Sequence, residues 1–353
     1  METNRMKQNN LKRKGIHAEK VMQDQFGRKI EYIRVSVTDR CNLRCIYCMP
    51  PEGVPAVPHS EILTFDEIER FCRIAAGLGI SRIKLTGGEP LVRRGLPFLL
   101  GKLKQIPGVE QVTLTTNGTQ LKEQIRDLAA NGLDAVNISL DTLDAQRYHQ
   151  VTRVGSLDQA LEGLDAALRC PGLPVKINCV PLEDGTDKDL FRLAGLARKC
   201  PVDVRFIELM PFGPGRESAG RSNADIKKIL EKQFGSSKPY ENLLGNGPAE
   251  YVLFPGFRGR VGFISALSHK FCSTCNRLRL TSEGLLKPCL QYGTGADIKA
   301  LLRGGASDRQ IQEAVIQTVL SKPACHHFNE DNDEDENGEG GQKENREMSR
   351  IGG

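Results

Sequence analysis

The chain has 353 residues and 39% hydrophobic content, which suits one large domain or two ordinary ones and excludes a small disulfide-stapled module. No apolar run reaches the length of a membrane span, the N-terminus is unlike a signal peptide, and eleven cysteines predict a reducing, cytoplasmic setting with metal ligation. The net charge of +5 divides into −7 over residues 330–347 and +12 elsewhere, a pattern typical of solvated surface that also permits an anionic ligand.

Residues 1–29 are predicted to form a flexible N-terminal arm. They hold eight Lys and Arg against three Asp and Glu. The basic character permits nucleic-acid contact, but the interleaved aromatic residues typical of such contact are missing. No nucleic-acid partner and no membrane partner are therefore expected. A transit peptide is only weakly indicated, because such peptides are poor in acidic residues.

Residues 30–240 alternate strand and helix patterns six times, which predicts an α/β fold with a parallel sheet and outer helices. Thr64 and Glu67 form a capping-box pattern at the head of the first helix. Six units are too few for a closed eight-stranded barrel, so an open partial barrel is predicted. The strand patterns cover Tyr32–Val37, Ser81–Leu85, Gln111–Thr115, Ala135–Leu140, Val175–Val180 and Val202–Leu209; the helical patterns lie near 65–78, 96–105, 121–131, 156–169, 187–199 and 222–234.

Three cysteines, Cys41, Cys45 and Cys48, follow the first strand directly. Soft thiolate ligands select iron–sulfur centres or zinc. A closed four-iron cluster takes four cysteines, so three would leave one iron open, which is the mark of a reactive metal site. The alternatives are a zinc knuckle or three buried thiols. A zinc site would need a fourth nearby ligand, and the next residues, 49–51, offer none.

The second strand runs into a Gly-Gly-Glu-Pro turn at residues 87–90. Two glycines at a strand end allow backbone to approach a ligand closely, so their N–H and C=O groups could hold a zwitterion. In isolation such a sequence is more often only a tight turn. Its position, one strand after the cysteine loop, favours a binding role.

Residues 241–328 change pattern and are predicted to form an α+β extension that binds a second metal centre. Strands are predicted at Glu250–Leu253 and Arg260–Ile264, and a helix at 296–320. The extension carries a second cysteine triad, formed by Cys272, Cys275 and Cys289. Arg277 and Arg279 follow Cys275 closely in sequence and indicate an anionic substrate beside the metal. Zinc remains an alternative, with Cys325, His326 or His327 as the fourth ligand. Residues 329–347 form an acidic insert predicted to be disordered, and 348–353 form a Gly-Gly tail.

The first cysteine loop and the Gly-Gly-Glu-Pro turn resemble the two signature motifs of the radical S-adenosylmethionine (SAM) superfamily, whose core is a partial (β/α)6 TIM-type barrel. The whole chain from about residue 26 resembles the GTP 3',8-cyclase family, in unbroken order. The matching stretches are 26–28, 36–50, 85–90, 115–118, 137–141, 175–178, 205–210, 271–279, 326–327 and 348–353.

The resemblance implies two [4Fe-4S] clusters and SAM as cofactors, and GTP as substrate. It assigns the first cluster to Cys41, Cys45 and Cys48, and the second to Cys272, Cys275 and Cys289. Implied SAM contacts are Tyr47, Gly88, Ser139 and Met210. Implied GTP contacts are Arg34, Lys84, Thr115, Lys176, Arg277 and Arg279. Some members carry arginine where this chain has Lys84, which keeps the charge but loses the bidentate geometry.

The implied activity is the first step of molybdenum cofactor biosynthesis. A 5'-deoxyadenosyl radical takes the ribose 3'-hydrogen of GTP, and the carbon radical adds to C8 of guanine. Reduction and protonation then give a 3',8-cyclic 7,8-dihydroguanosine triphosphate. The tail residues Arg350, Gly352 and Gly353 are implied to reach the active site. Expected partners are an electron donor such as flavodoxin or ferredoxin, and a downstream cyclic pyranopterin monophosphate synthase; the resemblance leaves room for a homodimer.

Two other readings of the sequence stay open. The chain could be a different radical SAM enzyme with an auxiliary cluster, such as a peptide modifier, although those usually carry more C-terminal cysteines. It could also be a non-enzymatic iron–sulfur or zinc protein. Cys72, Cys170, Cys179 and Cys200 lie in helix or strand patterns and are interpreted as buried thiols without a metal role.

Overall fold

The computed structural model describes residues 22–242, 244–328 and 343–352. Within these ranges one sheet of twelve strands carries nine α-helices. None of the described helices is long and apolar enough to cross a bilayer.

The strands are β1 (Tyr32–Ser36), β2 (Arg82–Thr86), β3 (Gln111–Thr116), β4 (Ala135–Ser139), β5 (Val175–Cys179), β6 (Asp203–Ile207), β7 (Lys238–Tyr240), β8 (Glu250–Leu253), β9 (Val261–Ile264), β10 (Arg277–Leu280), β11 (Leu285–Lys287) and β12 (Ala296–Asp297). The helices are α1 (Phe65–Ala76), α2 (Leu96–Lys104), α3 (Leu121–Ala130), α4 (Ala145–Thr152), α5 (Leu157–Leu168), α6 (Asp187–Lys199), α7 (Asn223–Phe234), α8 (Ile298–Arg303) and α9 (Asp308–Leu320).

The strand order is β12-β11-β10-β1-β2-β3-β4-β5-β6-β9-β8-β7. The stretch from β10 to β9 is parallel throughout, and the two outer strands on each edge are antiparallel. The predicted α/β class and the six strand–helix units are confirmed. Strands β9 and β10 extend the parallel part from six strands to eight, so the C-terminal region continues the same sheet on both sides.

Side chains alternate between two environments along the parallel strands. One set of positions is apolar and fully buried under the helices, as at Ile33 and Val35 in β1 or Val204 and Phe206 in β6. The intervening positions are mostly polar, whereas a parallel sheet covered by helices on both faces is usually apolar on both. The polar face must therefore enclose something other than a core. Its members include Arg34, Lys84, Thr115, Asn137, Lys176, Arg205 and Arg279.

Capping chemistry sets the helix boundaries. The predicted capping box is present: the Glu67 amide donates to Thr64 Oγ1 at 3.1 Å, and the Thr64 amide donates to Glu67 Oε2 at 2.7 Å. The single helix predicted at 296–320 is wrong, because the chain breaks it into α8 and α9. Gly305 has φ of 77°, a left-handed conformation that ends a helix and favours glycine.

Helix α4 is an element that the sequence patterns did not predict, and two further expectations are corrected. The arm predicted at 1–29 ends earlier, because residues 22–29 form a turn in which Asp24 and Arg28 are buried as an ion pair. The acidic insert predicted to be disordered at 329–347 has ordered structure from residue 343, where Lys343 pairs with Tyr292 in a β-bridge. Residues 1–21 and 329–342 lie outside the described residues.

Candidate active site

The polar face of the sheet surrounds a cavity of about 330 Å³. Each of the eight parallel strands contributes to its wall, so the sheet curves around it as a partial barrel. All six cysteines of the two triads line this one cavity.

The two triads lie at opposite ends of the strands. Cys41 follows the carboxyl end of β1, whereas Cys275 precedes β10, which is parallel to β1. Cys289 follows β11, which is antiparallel to β10, so it also lies at the amino end. Strand β1 alone spans roughly 16 Å at 3.3 Å per residue. A molecule between the triads can therefore contact both ends of the barrel.

Helix α4 fixes the first cysteine loop. The amides of Arg44 and Ile46 donate to carbonyls in the last turn of α4 at 3.0 and 2.9 Å. Arg153, with φ of 59°, then turns back and donates to the carbonyls of Arg44 and Met49. A non-glycine residue in this conformation is uncommon, and here it directs the Arg153 side chain onto the cysteine loop.

Two amides donate to sulfur atoms of the first triad. The Leu43 amide lies 3.4 Å from Cys41 Sγ, and the Ser349 amide bonds the Cys48 thiol. Burial raises the pKa of Cys41 to about 11 and that of Cys48 to about 12. Thiolates here would therefore need a compensating cation. Three thiols on one cavity wall, two of which accept amide N–H bonds, fit the ligand chemistry of an iron–sulfur cluster.

The Gly-Gly-Glu-Pro turn packs directly on this loop. The Gly88 amide donates to the Thr38 carbonyl at 2.8 Å, and the Glu89 amide donates to the Arg40 carbonyl at 2.8 Å. A Cβ atom on Gly88 would lie 2.4 Å from the Arg40 carbonyl oxygen, so only glycine fits. The amides of Gly88 and Glu89 therefore join the turn to the cysteine loop, and the turn lies beside the first triad on the cavity wall.

Glu89 was not singled out by the sequence reasoning, although it stands inside the turn motif. Its carboxylate accepts from Thr116 Oγ1 at 2.6 Å and from the amides of Asn117 and Leu91 at 2.6 and 3.0 Å. Burial nevertheless raises the pKa of Glu89 to about 7. This carboxyl group ties the ends of β2 and β3 together beside the first triad.

The four predicted SAM residues, Tyr47, Gly88, Ser139 and Met210, all line the cavity. The Tyr47 hydroxyl donates to Asp141 Oδ2 at 2.7 Å. Asp141 is a second residue that the sequence reasoning did not single out, and burial raises its pKa to about 6. Its place directly after β4 is the signal that could have found it.

The predicted GTP residues divide into two groups. Arg34, Thr115, Arg277 and Arg279 line the cavity. Lys84 and Lys176 lie on the same polar face of the sheet but outside the cavity lining. Lys176 instead donates to the Leu244 carbonyl at 3.2 Å and to the Tyr251 hydroxyl at 3.3 Å.

These cations perturb one another strongly. Burial lowers the pKa of Lys84 well below its usual value, and the charges of Arg205 and Arg34 add to that shift. Burial and Arg205 lower the pKa of Lys176 to about 8. Arg205 lies in the matching stretch 205–210 but was given no role there; it is buried, and its Nε atom has no hydrogen-bond partner among the described residues. Its polar-face position in β6 was the available signal. The cluster of positive charge fits a polyanion.

The second triad has positive neighbours. Burial alone would raise the pKa of the Cys275 thiol, but the charges of Arg277 and Lys322 outweigh it and lower the value to about 6. The His326 amide bonds the Cys272 sulfur. These thiols therefore suit a cluster as well. In the part of the chain that the structure describes, no three His, Cys, Asp or Glu side chains gather closely enough for a single metal ion.

The C-terminal tail enters the barrel. The Gly352 carbonyl accepts from Arg279 Nη1 at 2.9 Å, and a Cβ atom on Gly352 would lie 3.3 Å from Ser36 Cβ. Ile351 is completely buried. Arg350, by contrast, donates to the Pro55 carbonyl at 2.7 Å and does not line the cavity. Gly353 lies outside the described residues.

A buried ion pair fixes the start of the tail. Glu344 pairs with Lys287 of β11, and these side chains are 2% and 0% exposed. Arg346 also bonds the Glu344 carboxylate at 2.9 Å, and the Glu344 amide donates to the Gln291 carbonyl at 2.6 Å. The tail is therefore held at both ends, by this pair and by Arg279.

Comparison with known proteins identifies the family. Residues 35–197 match the Radical SAM superfamily, and residues 202–328 match the family Molybdenum Cofactor Synthesis C. The GTP 3',8-cyclase of Heliobacterium modesticaldum is 46% identical over 94% of this chain and 100% of its own length. That of Pelotomaculum thermopropionicum is 44% identical with the same coverage. The chain belongs to the GTP 3',8-cyclase family.

Solved structures agree with this family at the level of the fold. Streptococcus suis SuiB bound to the precursor peptide SuiA aligns with a TM-score of 0.58 at 16% identity, covering 84% of this chain. The chain spans less than two thirds of that structure's own length, 65%. As a radical SAM protein, this GTP 3',8-cyclase family member uses a [4Fe-4S] cluster and SAM.

Proposed function

We propose that this chain converts GTP to (8S)-3',8-cyclo-7,8-dihydroguanosine 5'-triphosphate, the first step of molybdenum cofactor biosynthesis. One observation carries the proposal: a single cavity is lined by two cysteine triads at opposite ends, with Arg34, Arg277 and Arg279 between them.

The first triad and its surroundings generate the reactive species. Cys41, Cys45 and Cys48 would hold a [4Fe-4S] cluster, which with SAM and one electron from the donor would supply the 5'-deoxyadenosyl radical that takes the ribose 3'-hydrogen. The C3' radical would then add to C8 of guanine, and a further electron and a proton would complete the dihydro product. SAM would be bound by the four residues of the cavity wall that the family resemblance assigns to it, Tyr47, Gly88, Ser139 and Met210. The buried wall also excludes water from the reacting carbons.

The interior cations hold the triphosphate. The sequence has no GxxxxGK[ST] loop, so phosphate binding rests on Arg34, Lys84, Lys176, Arg277 and Arg279, with Thr115 as a polar contact. Because these groups repel one another, a polyanion among them relieves an existing cost as well as forming new ion pairs. Lys176 must then exchange its present bonds to Leu244 and Tyr251 for a phosphate oxygen.

The amino end of the barrel orients the base. Cys272, Cys275 and Cys289 would hold a second [4Fe-4S] cluster at this end, where guanine could contact it. The tail approaches from the side of the first triad, where Ser349 bonds Cys48 and Gly352 lies near Ser36. Gly352 and Gly353 would complete the site there, and Arg350 would have to leave the Pro55 carbonyl to join them. The site would hold GTP in the conformer that brings C3' and C8 into contact, which is orientation catalysis. A flavodoxin or ferredoxin would deliver electrons, and a cyclic pyranopterin monophosphate synthase would consume the product.

Anaerobic turnover separates these assignments. Reconstituted protein is incubated with SAM, a strong reductant and GTP, and both 5'-deoxyadenosine and the cyclised nucleotide are measured. Cys41→Ser is expected to abolish both products. Cys289→Ser is expected to lower the cyclised nucleotide at least 100-fold, because guanine loses its support. Cys200→Ser, a half-buried thiol outside both triads, serves as the control.

Two outcomes would contradict the proposal. Wild-type rates in both triad variants would show that the triads do not support the reaction. Formation of 5'-deoxyadenosine with a peptide but not with GTP would instead identify a peptide-modifying radical SAM enzyme.

A further inference from the structure

A buried lysine joins two of the chain segments that carry the second triad. Lys322 follows α9 and is 2% exposed. Its ammonium donates to the Arg277 carbonyl at 2.9 Å and to the Pro288 carbonyl at 2.7 Å. Arg277 stands two residues after Cys275, and Pro288 directly precedes Cys289. One side chain therefore sets the separation of two cysteines that are remote in sequence.

The third cysteine has an anchor of its own. Arg28 donates to the Cys272 carbonyl at 2.8 Å and also to the carbonyls of Pro323 and Ala324 at 2.7 and 3.0 Å. Its Nε atom bonds the Asp24 carboxylate at 2.5 Å. The short segment 322–324 is therefore the hub to which all three cysteine segments are tied.

The two anchoring cations differ in charge balance. Asp24 neutralises Arg28. Lys322 has no carboxylate within ion-pair distance among the described residues. A buried ammonium without a counter-charge is costly unless an anion compensates it. Lysine carries three N–H donors, two of which the carbonyls occupy.

The cavity is where the compensating anion belongs. Lys322 lines the cavity together with Cys275 and Cys289, and its charge acts on the Cys275 sulfur. Three thiolates on an iron–sulfur cluster supply negative charge at this point. The position of Lys322 and its missing counter-charge in the described part of the chain therefore both point to a cluster on the second triad as its partner.

We infer that Lys322 is a positioning residue and the counter-ion of an iron–sulfur cluster held by Cys272, Cys275 and Cys289. The inference rests on the second cluster of the proposed function. Partners outside the ligand set orient the ligands, and losing one typically costs 10- to 100-fold in metal affinity. Net charge around a cluster also sets its reduction potential, so the lysine favours the reduced form.

The test compares three replacements in full-length protein reconstituted anaerobically with iron and sulfide. Lys322→Met removes the charge and the donors, Lys322→Gln keeps donors without charge, and Lys322→Arg keeps both. Lys232→Met, at an exposed position of α7, is the control. Iron per chain is counted before and after a chelator challenge. The potential of the second cluster is measured by an EPR-monitored titration in a background with all three first-triad cysteines changed to serine.

We expect wild type and Lys232→Met to carry about eight irons, from two four-iron clusters. Lys322→Met should lose about four of them to chelator roughly 10- to 100-fold faster. Lys322→Gln should retain more iron than Lys322→Met but show a lower potential than wild type, and Lys322→Arg should stay close to wild type. The potential reports charge, which a purely structural role would leave unchanged.

Two results would overturn the inference, and they differ. If wild type carries eight irons while Lys322→Met and Lys322→Gln match its chelator resistance and potential, Lys322 has no role toward the cluster. If wild type itself carries only four irons, the second cluster of the proposed function is wrong and the inference falls with it. If Lys322→Met does not fold, the chelator resistance and the potential of Lys322→Gln decide between these outcomes.

Discussion

Replacing Glu344 with glutamine should release the C-terminal tail from the barrel. Glu344 and Lys287 form an almost completely buried ion pair. Glutamine has nearly the same shape, so the change removes charge without opening a large cavity. It leaves the Lys287 ammonium buried with no carboxylate at that position.

The expected cost follows from burial. Breaking a buried ion pair by neutralising one partner costs about 3–5 kcal/mol. At 1.4 kcal/mol per factor of ten, the ratio of docked to undocked tail falls by roughly 100- to 4,000-fold. The loss should concentrate on residues 343–352, because the pair joins that segment to β11 rather than holding the sheet together.

Hydrogen exchange of the amides in 343–352, with limited proteolysis as a second probe, measures this release. The matched control is Glu162→Gln, which breaks the exposed pair with Lys122 and should cost about 0–1 kcal/mol. A double variant, Lys287→Met with Glu344→Leu, should recover much of the protection because no charge is left buried. Wild-type exchange of the tail in Glu344→Gln would refute the reasoning.

The same pair predicts a pH dependence. Burial would raise the pKa of Glu344, but the bonds from Arg346 and Lys287 outweigh it and lower the pKa from 4.5 to about 2. A carboxyl group with a lowered pKa in the folded state stabilises above its ordinary pKa. That stabilisation should disappear as the pH falls from about 4.5 towards 2. The protection of the tail amides, measured relative to their intrinsic exchange rate at each pH, should fall over this range in wild type and show no such step in Glu344→Gln.

The remaining predictions concern glycines. Gly163→Ala would place a Cβ atom 2.1 Å from the Gly118 carbonyl oxygen where α5 packs, so overpacking should cost about 1–3 kcal/mol and lower the melting temperature. Gly195→Ala, in the middle of α6 with open space around it, should instead stabilise by about 0.5–1 kcal/mol, and calorimetry of both variants checks the contrast. Gly88→Ala would place a Cβ atom 2.4 Å from the Arg40 carbonyl oxygen, a backbone clash like that at Gly163, so it should lower the melting temperature and also weaken SAM binding at least 10-fold in anaerobic calorimetry; unchanged SAM affinity would show that the turn does not contribute to SAM binding.

Local patterns carried most of the barrel and the first half of the site. The alternation of strands and helices, the Thr64–Glu67 capping box and the closeness of the cysteine loop to the Gly-Gly turn all depend on residues near one another in sequence or on adjacent strands. Helix α4 was not predicted because it has only eight residues. Its buried side chains contact α5 and the cysteine loop, and an eight-residue pattern does not reveal such contacts.

Long-range pairings could not be predicted in this way. That β10 lies beside β1, and so brings Arg279 opposite Arg34, depends on the whole path of the C-terminal region. The pair between Lys287 and Glu344 joins residues 57 positions apart. In the sequence Glu344 is one acid among nine in residues 330–347, and nothing local separates it from solvated neighbours.

The sequence also could not predict which other groups bond to a residue that had been assigned a role. Lys176 was assigned to a nucleotide contact from its strand position, and the structure adds that the Leu244 carbonyl and Tyr251 occupy its ammonium. Arg205 and Asp141 are polar residues at strand positions facing the interior or at a strand end. Once the curvature of the sheet is known, the alternation of side chains along each strand is enough to identify such residues as facing the interior.

The crowd of like charges inside the barrel has a practical consequence for handling the protein. Without its nucleotide, the fold carries the mutual repulsion of Arg34, Lys84, Arg205 and Arg279, so it should melt earlier in a dilute monovalent buffer than in one containing pyrophosphate or tripolyphosphate. Multivalent anions should then stabilise the protein during purification. The rise in melting temperature that they cause would measure the electrostatic repulsion among these side chains.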